Sequence, residues 1–335
     1  MQFKDIATRL ENLPGPNEDA ASAARARDAN LTKPAGSLGR LEEIAAWLAA
    51  WQGCHPPALD DVRILVFAGN HGVTARGVSA FPSEVTVQMV ANFAAGGAAI
   101  NQLARAFGAT LDVIPLDLDR PTKDFTSDAA MDEAECAAAF GAGYDAVKPG
   151  SDALIVGEMG IGNTTAAAAL SCALFGGAPA DWTGPGTGVA ADGVALKAKV
   201  VGEAMALHGA ALADPVEALR RVGGRELAAM AGAALAARHL QIPVILDGFV
   251  ATAAVAALER ARPGALDHCI AGHVSAEPGH RRLLEALGKA PLLSLGMRLG
   301  EGSGAAVALG VLRAAVATHA GMATFEEAAV SRKDG

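Results

Sequence analysis

Six short apolar segments, separated by Ala- and Leu-rich stretches of helical length, constrain the fold of this 335-residue chain more than any other feature. In chain order they are VRILVFAGN (62–70), LDVIPLDLD (111–119), DALIVGEMG (152–160), PVILDGF (243–249), HCIAGHV (268–274) and PLLSLGM (291–297). Their hydrophobicity is continuous rather than alternating, which is typical of parallel strands buried on both faces. Alternation with helices then predicts an α/β fold with a parallel sheet of six strands.

The stretches between these segments predict helices at 84–107, 164–176, 225–239, 250–260 and 303–318. Residues 1–55 carry no strand pattern, and RLEEIAAWLAAWQG within them indicates an amphipathic helix. The region 303–330 is also helical in pattern. We therefore expect residues 56–314 to form a large α/β domain, and the segments 1–55 and 315–335 to form a small helical subdomain.

Charge and hydropathy narrow the range of partners. The formal net charge is −9 and no cluster of Lys or Arg stands out. Because nucleic-acid grooves and anionic membrane surfaces both bind clustered positive charge, we expect neither as a partner. The start, MQFKDIATRLEN, lacks the apolar stretch of a signal peptide, and no uncharged run reaches the roughly 18 to 20 residues of a membrane span. The sequence predicts a cytoplasmic protein.

The candidate metal ligands do not form a convincing set. Four cysteines, at 54, 136, 172 and 269, are widely scattered and form no CxxC pair, so reduced thiols are expected rather than disulfides or a zinc site. His273, Glu277 and His280 lie together in AGHVSAEPGH, but a loop after a strand gives them no common face. We expect no metal and no cofactor.

The segment GEMGIGNTT, from residue 157, has the glycine spacing of a Walker loop, with Thr164 at the hydroxyl position but Asn163 at the Lys position. It follows a predicted strand and opens an Ala-rich helix. There Gly160 and Gly162 allow close backbone approach, and the helix N-terminus favours an anion. Without a Lys to span β- and γ-phosphates, the loop suits a single phosphate. An ordinary Gly-rich turn is the alternative, and Thr165 breaks the GxGxxG dinucleotide pattern.

A second Gly-rich turn, WTGPGTGV (182–189), contains Gly186, Thr187 and Gly188. It is either a plain turn or a second loop that closes around the sugar or phosphate of the same ligand. Asp247, at a predicted strand end, is placed either to bind ribose hydroxyls or to cap a helix. Ser275 is a candidate polar contact to the ligand.

The segment MRLGEGSGAAVALGVL (297–312) resembles residues 157–170 in its order of strand, Gly, Glu, Gly and small-residue helix. Glu301 follows Gly300 as Glu158 follows Gly157. A carboxylate flanked by glycines and apolar residues can have a raised pKa and act as a general base. The alternative is a Glu in a first helical turn that complements the helix dipole.

The loop after the first predicted strand reads AGNHGVTARGVSAFPSEVTVQM (68–89). His71 is a candidate proton carrier or a structural, hydrogen-bonded histidine. Phe81, Pro82 and Gln88 indicate an apolar slot with one polar contact, which suits a flat aromatic ring.

Together, LTKPAGSLGRLEEIA, GVSAFPSEVT, GEMGIGNTT, LDGFVATAA and MRLGEGSGAA resemble the nicotinate-nucleotide–dimethylbenzimidazole phosphoribosyltransferases of cobalamin nucleotide-loop assembly. The resemblance runs in order from about residue 30 to 312. It implies a homodimer with a doubly wound, Rossmann-like parallel sheet and a small helical domain built from both chain ends. It also implies transfer of 5-phosphoribose from nicotinate mononucleotide to 5,6-dimethylbenzimidazole, giving α-ribazole 5′-phosphate and nicotinate.

The resemblance assigns roles to particular positions. Glu301 matches the catalytic base, which takes a proton from the benzimidazole. The positions implied for the nucleotide are Glu158, Gly160, Gly162, Asn163, Thr164, Asp247 and Ser275. A lysine after the GPGTG segment falls on Lys197 or Lys199, and the surrounding ALKAKV favours Lys199. The positions implied for the acceptor pocket are Ser79, Phe81, Gln88 and Leu299. Asn70 stands where the family has an Asp before His71, which removes one carboxylate.

Three other interpretations remain at this stage. The same chemistry can serve another acceptor base or a phenol, which the pocket around 79–88 would decide. A nucleotide-binding regulator is disfavoured because it has little use for a base between glycines. An NAD-dependent oxidoreductase is disfavoured by the incomplete fingerprint at 157–165.

Overall fold

A computed structural model describes residues 1–331, in which helices and strands alternate as the sequence predicts. The strands are β1 (Val62–Ala68), β2 (Thr110–Pro115), β3 (Ala153–Met159), β4 (Val244–Leu246) and β5 (Cys269–Ala271). The helices are α1 (Asp5–Arg9), α2 (Glu18–Asp28), α3 (Arg40–Gln52), α4 (Glu84–Ala94), α5 (Ala99–Ala106), α6 (Glu133–Ala146), α7 (Asn163–Phe175), α8 (Ala191–His208), α9 (Pro215–Val222), α10 (Arg225–His239), α11 (Phe249–Ala261), α12 (Pro278–Ala286) and α13 (Ser303–Gly321). Short 3₁₀ turns lie at Gly72–Arg76, Pro179–Asp181 and Gly209–Ala213.

The five strands form one parallel sheet in the order β2-β1-β3-β4-β5. Val66, on the interior strand β1, faces Val113 of β2 on one side and Gly157 of β3 on the other. The chain passes from β1 outward to β2 and then returns past β1 to β3. The loops after β1 and β3 therefore diverge, and such a reversal is where parallel sheets open a ligand crevice. The predicted α/β fold with a parallel sheet is confirmed.

The sixth predicted strand, 291–297, is wrong. This segment runs beside β5 and makes a single parallel bridge, between His273 and Leu293. It lies beyond the edge of the sheet and is partly or fully exposed, so it lacks the two-sided burial that continuous hydrophobicity implied. Pro291 has no N–H to donate, and Gly296 takes a left-handed backbone (φ +69°) that interrupts the extended run.

The predicted helix 84–107 is two helices, α4 and α5. Gly96, with φ +78°, ends the first, and the N–H of Gly97 bonds to the carbonyl of Asn92. Because a left-handed residue cannot continue a right-handed helix, the chain turns here and starts α5 in a new direction.

The sheet separates two apolar cores. On one face, Leu65 and Phe67 of β1 pack with α6, α7, α10 and α11. On the other, Ile64 and Val66 pack with α3, α5 and α13. Since successive strand residues point to opposite faces, both faces must be apolar, which explains the continuous hydrophobic runs.

The two chain ends meet. Arg27, at the end of α2, donates hydrogen bonds to the carbonyls of His319, Ala320 and Met322 around the end of α13. Within residues 1–331, α13 alone has the length and hydropathy of a membrane span, and it is the helix that packs on the sheet through Leu309. The last four residues of the predicted 315–335 segment lie outside the described residues.

Candidate active site

A cavity of about 430 Å³ opens at the carboxyl ends of the strands, beside the reversal between β1 and β3. This volume lies in the range of small-molecule sites. Its lining comes from six segments of the chain: Phe81, Val85 and Met89; Glu158–Ile161, Asn163 and Thr164; Gly186 and Thr187; Gly248–Val250; His273, Ser275 and Glu277; and Arg298–Glu301.

The predicted phosphate loop lies at this cavity. β3 ends at Met159, Gly162 forms the N-cap of α7 with φ +94°, and Asn163 is the first helical residue. Gly162 is glycine for two reasons: its left-handed backbone, and a Cβ there would lie 2.8 Å from Thr74 Cγ2. Asn163 and Thr164 line the cavity at the positive end of α7, which favours a bound anion.

The lysine beneath this loop is Lys197, and the preference for Lys199 is wrong in its geometry. Lys197 is buried and donates hydrogen bonds to Thr164 Oγ1 (2.9 Å) and the Gly184 carbonyl (3.0 Å). Lys199 lies on the outer face of α8, where its 71% exposed side chain faces Glu203. Residues two positions apart on a helix point in directions that differ by about 200°, so Lys197 faces the site and Lys199 faces solvent. Burial lowers the pKa of Lys197 to about 8, against the opposing charge of Glu277.

The second Gly-rich turn closes over the first. Gly186 has a left-handed backbone (φ +52°), and a Cβ there would lie 2.6 Å from Thr164 Oγ1. Its N–H donates to Glu277 Oε1 at 2.9 Å, and its carbonyl accepts from Arg298 at 2.8 Å. The interpretation as a second ligand loop therefore agrees with the structure for Gly186 and its neighbour Thr187. Gly188 is exposed and does not line the cavity.

Glu301 lies in the turn before α13 and lines the cavity. It is 4% exposed and takes a left-handed backbone (φ +63°), which is uncommon for a residue with a side chain. Among the described residues, no hydrogen-bond partner contacts its Oε2. Burial raises the pKa of Glu301, against a hydrogen bond from the Ile100 N–H, and the charge of Asp247 raises it further.

Glu158 is the last but one residue of β3, and its carboxylate accepts a hydrogen bond from Asn163 Nδ2. Burial raises its pKa to about 8, although the Asn163 bond opposes this; the charges of Asp247, Glu226 and Glu301 add to the increase. The sequence matched Glu158 with Glu301, but the two N-cap glycines align instead. Glu158 therefore belongs to a strand, whereas Glu301 belongs to the turn.

Asp247 does not line the cavity. Its carboxylate accepts hydrogen bonds from the backbone N–H groups of Gly302 (3.2 Å), Gly304 (2.8 Å) and Ala305 (3.0 Å). It is 1% exposed. The prediction of a ribose contact is thus not supported, and the capping alternative is correct, although the helix that Asp247 caps is the distant α13 rather than its own α11.

Part of the cavity wall is apolar. Phe81, Val85 and Met89 from the α4 region face the cavity with Met159 and Leu299. The predicted Phe81 and Leu299 are therefore in place, and both are more than half exposed at the mouth. The other two predicted pocket residues, Gln88 and Ser79, do not line the cavity.

Gln88 is exposed on α4, one residue before Met89, and does not line the cavity. Its place is taken by Val85 and Met89, because residues four apart share a helix face. Ser79 lies outside the cavity as well, where its hydroxyl contacts Thr187 Oγ1 at 3.2 Å.

Three cavity residues carry chemistry that the motifs did not reveal. Arg298 provides a guanidinium at the mouth, and its position inside the quoted MRLGEGSG motif was the available signal. Glu277 and His273 also line the cavity, whereas their sequence pattern suggests only a metal-ligand role. Ser275, predicted as a contact, lines the cavity, and its N–H donates to His280 Nδ1 at 2.9 Å. In residues 1–331, no group of three or more His, Cys, Asp or Glu side chains is placed to hold a metal ion.

Comparison with known proteins gives a consistent result. A family model described as a phosphoribosyltransferase matches residues 13–330. The chain is 63% identical over 322 residues to a nicotinate-nucleotide–dimethylbenzimidazole phosphoribosyltransferase of Novosphingobium aromaticivorans, covering 96% of this chain and 95% of the relative. It is 64% identical over 338 residues to the enzyme of the same name from Mesorhizobium japonicum, covering 99% and 100%. The crystal structure of CobT from Thermus thermophilus superposes with a TM-score of 0.87 at 44% identity, covering 94% of this chain and 100% of that one.

Proposed function

The chain belongs to the family of nicotinate-nucleotide–dimethylbenzimidazole phosphoribosyltransferases, and we propose that it transfers the 5-phosphoribosyl group of nicotinate mononucleotide to 5,6-dimethylbenzimidazole. The products are α-ribazole 5′-phosphate and nicotinate, in the lower-ligand branch of cobalamin synthesis. The observation that carries the proposal is Glu301, a buried carboxylate with an unbonded Oε2 that lines the same cavity as the anion loop and an apolar wall.

Glu301 is the general base of this reaction. Its carboxylate accepts the N–H proton of the benzimidazole, and the other ring nitrogen attacks C1′ of the ribose. The C1′–N bond to nicotinate breaks, and its electron pair returns to the pyridinium ring, which leaves as neutral pyridine nitrogen. Attack from the face opposite the leaving group inverts C1′, so a β-nucleotide gives an α-riboside. A raised pKa makes Glu301 a stronger base than an exposed carboxylate.

The 5′-phosphate lies against Gly160, Asn163 and Thr164, with Lys197 below Thr164 and Arg298 at the mouth. The loop has no lysine of its own, which suits one phosphate rather than three. Lys197 supplies positive charge from α8 instead. A bound dianion offsets the burial that lowers the pKa of Lys197, so phosphate binding favours its charged form.

The apolar wall of Val85, Met89, Met159 and Leu299 receives the aromatic acceptor. It buries the methylated ring, while Glu301, which lines the same cavity, takes the ring proton. Positioning and exclusion of water then supply the remaining rate enhancement.

The direct test is product identification. The protein is incubated with nicotinate mononucleotide and, separately, 5,6-dimethylbenzimidazole, adenine and a phenol, and products are separated by chromatography. We expect α-ribazole 5′-phosphate with the benzimidazole, in equal amount to released nicotinate. Absence of an α-riboside phosphate with every acceptor would refute the proposal, and a preference for adenine or the phenol would reassign the acceptor.

We further propose that the enzyme is a cytoplasmic homodimer, in which residues 1–55 and 315–335 form a helical subdomain attached to the large doubly wound domain of residues 56–314. Contacts between α2 and the end of α13 support the subdomain. Phe81, Leu295 and Leu299 expose apolar side chains around the cavity mouth, which favours an additional covering surface. Sedimentation of the purified protein tests the dimer; a monomer at micromolar concentration would contradict it.

A further inference from the structure

A buried His71–Glu226 pair lies beneath the phosphate loop, and the proposed reaction does not use it. The two side chains come from the loop after β1 and the first turn of α10, and both are fully buried. Nε2 of His71 and Oε1 of Glu226 form a short hydrogen bond. Their other polar atoms, Nδ1 and Oε2, have no partner among the described residues. Neither residue lines the cavity.

Three glycines give the pair its space. A Cβ at Gly69 would lie 2.5 Å from Glu226 Oε2, one at Gly160 would lie 2.8 Å from Glu226 Oε1, and one at Gly224 would lie 2.3 Å from His71 Cε1. None of the three has a left-handed backbone, so conformation does not require glycine there. They are small because the pair occupies the volume, and one of them, Gly160, is part of the phosphate loop.

The contacts therefore place the loop on the pair. The Glu226 carboxylate meets the backbone at Gly160, and a Cβ at Gly162 would lie 3.5 Å from His71 Cβ. Gly160, Asn163 and Thr164 of the same loop line the cavity. The His71–Glu226 pair thus influences both the shape of the loop and the electrostatic potential at a bound phosphate.

The charge of the pair follows from its burial. A fully buried carboxylate with one hydrogen-bond partner is strongly disfavoured as an isolated anion, and the group bonded to Glu226 is His71. One proton shared between them leaves no net charge, whichever atom carries it. This matters because an uncompensated carboxylate under Gly160 would repel the phosphate above it.

We propose that His71 and Glu226 are positioning residues of the phosphate site: joined by a shared proton, they form a net-neutral support under Gly160 on which the phosphate loop rests. This inference rests on the proposed function, since it assumes that the loop binds the nucleotide phosphate. It explains why the chain tolerates Asn70, because the carboxylate that pairs with His71 comes from α10 and not from the adjacent position.

The test uses His71→Gln and the double variant His71→Gln/Glu226→Gln. Glutamine keeps a donor near the position of Nε2 but cannot carry the proton that balances Glu226. In the single variant we expect affinity for inorganic phosphate and nicotinate mononucleotide, measured by calorimetry, to fall about ten- to hundredfold. The KM for the nucleotide should rise equally, while kcat at saturation and the KM for the benzimidazole change less than about threefold.

The double variant distinguishes charge balance from packing. Two glutamines are neutral and can bond to each other, so we expect phosphate affinity within about threefold of the wild type. The matched control is His268→Gln, which removes another fully buried imidazole, bonded to the Ala234 carbonyl away from the cavity. It should leave phosphate affinity unchanged.

Each outcome decides the matter. Wild-type affinity in His71→Gln, or a double variant that binds as weakly as the single one, overturns the inference. If the single variant does not fold but the double variant folds and binds like the wild type, the need for charge balance is supported. Wild-type protein that binds nucleotide yet forms no riboside refutes the proposed reaction alone, whereas failure to bind phosphate or nucleotide refutes the support role as well.

Discussion

The loop at the start of α7 and the loop at the start of α13 have the same N-cap geometry but differ in where their carboxylate residue lies. Both helices begin after a left-handed N-cap glycine, Gly162 (φ +94°) and Gly302 (φ +80°), and both continue in small residues. Before Gly162, the carboxylate belongs to the strand and is bonded to Asn163. Before Gly302, Glu301 itself occupies the turn, with a left-handed backbone and an unbonded oxygen.

We infer that the α7 loop serves ligand binding and the α13 loop serves catalysis. The α7 loop is held at Thr164 by Lys197 and by the Gly186 turn, so it presents a fixed surface to an anion. At the α13 loop, Asp247 secures the backbone N–H groups, and Oε2 of Glu301 stays unbonded. Uncommon backbone geometry at a residue with a free acceptor is typical of a catalytic position.

The largest effect is expected for Glu301→Gln, which keeps the shape of the α13 loop and removes the base. We expect kcat to fall about 100- to 10,000-fold, with little change in affinity for nicotinate mononucleotide. Steady-state kinetics with calorimetry would measure both. Glu285→Gln, at an exposed position on α12, is the control and should behave as the wild type. A Glu301→Gln enzyme with near-normal kcat would mean that Glu301 is not the base and that the α13 loop has no separate catalytic role.

For the α7 loop we expect the opposite pattern, in which a substitution changes KM more than kcat. Lys197→Met removes the cation bonded to Thr164, so the KM for nicotinate mononucleotide should rise about ten- to hundredfold with a smaller change in kcat. Lys199→Met, two residues along α8 but exposed, is the matched control and should leave KM unchanged. The reverse result, with Lys199 controlling KM, would show that the buried lysine is structural only.

Asp247→Asn should affect the α13 loop more moderately. It weakens three backbone hydrogen bonds to a buried carboxylate, which costs about 1 to 3 kcal/mol of unfolding free energy. Because the turn that holds Glu301 loosens, kcat should also fall, by about tenfold. Asp214→Ala removes the cap of α9, because Asp214 accepts hydrogen bonds from the N–H groups of Val216 and Glu217, and it should lower stability without lowering kcat. Urea denaturation and kinetics on both variants provide the comparison; equal kcat values would exclude a special role for the Asp247 cap.

The smallest effect concerns Glu158 and pH. Its pKa is raised from 4.5 to about 8 in the folded protein, so between those values the folded state keeps a proton that the unfolded chain releases. Stability from this group therefore declines as pH rises through that window. Glu158→Gln cannot titrate, and its melting temperature should fall less steeply over the same range. Parallel slopes for the two proteins would contradict the shifted pKa.

Much of the fold was predictable because it depends on local pattern. Continuous apolar runs located all five strands, and the Gly-rich ends of β3 and of the 291–300 segment located both loops. The strand prediction failed at 291–297, since hydrophobicity does not report whether a segment lies inside a sheet or beyond its edge. The helix prediction failed at Gly96, where one left-handed residue divides a helical pattern in two.

Site residues were predictable where the motif itself forms the contact, as at Asn163, Thr164 and Glu301. They were not where the contact crosses the fold. Lys197 and Lys199 look equivalent in ALKAKV, and only the rotation of α8 distinguishes them. His71 and Glu226 are 155 positions apart, so no motif could join them.

The sequence alone determined that this chain forms a parallel α/β sheet with one glycine loop for an anion and another carrying a carboxylate, because those features follow from periodicity and from the steric freedom of glycine. Tertiary structure decided which side chains meet at those loops. Burial and distance place Lys197 under Thr164 and Asp247 behind Glu301, and both quantities arise only when separate strands and helices pack together.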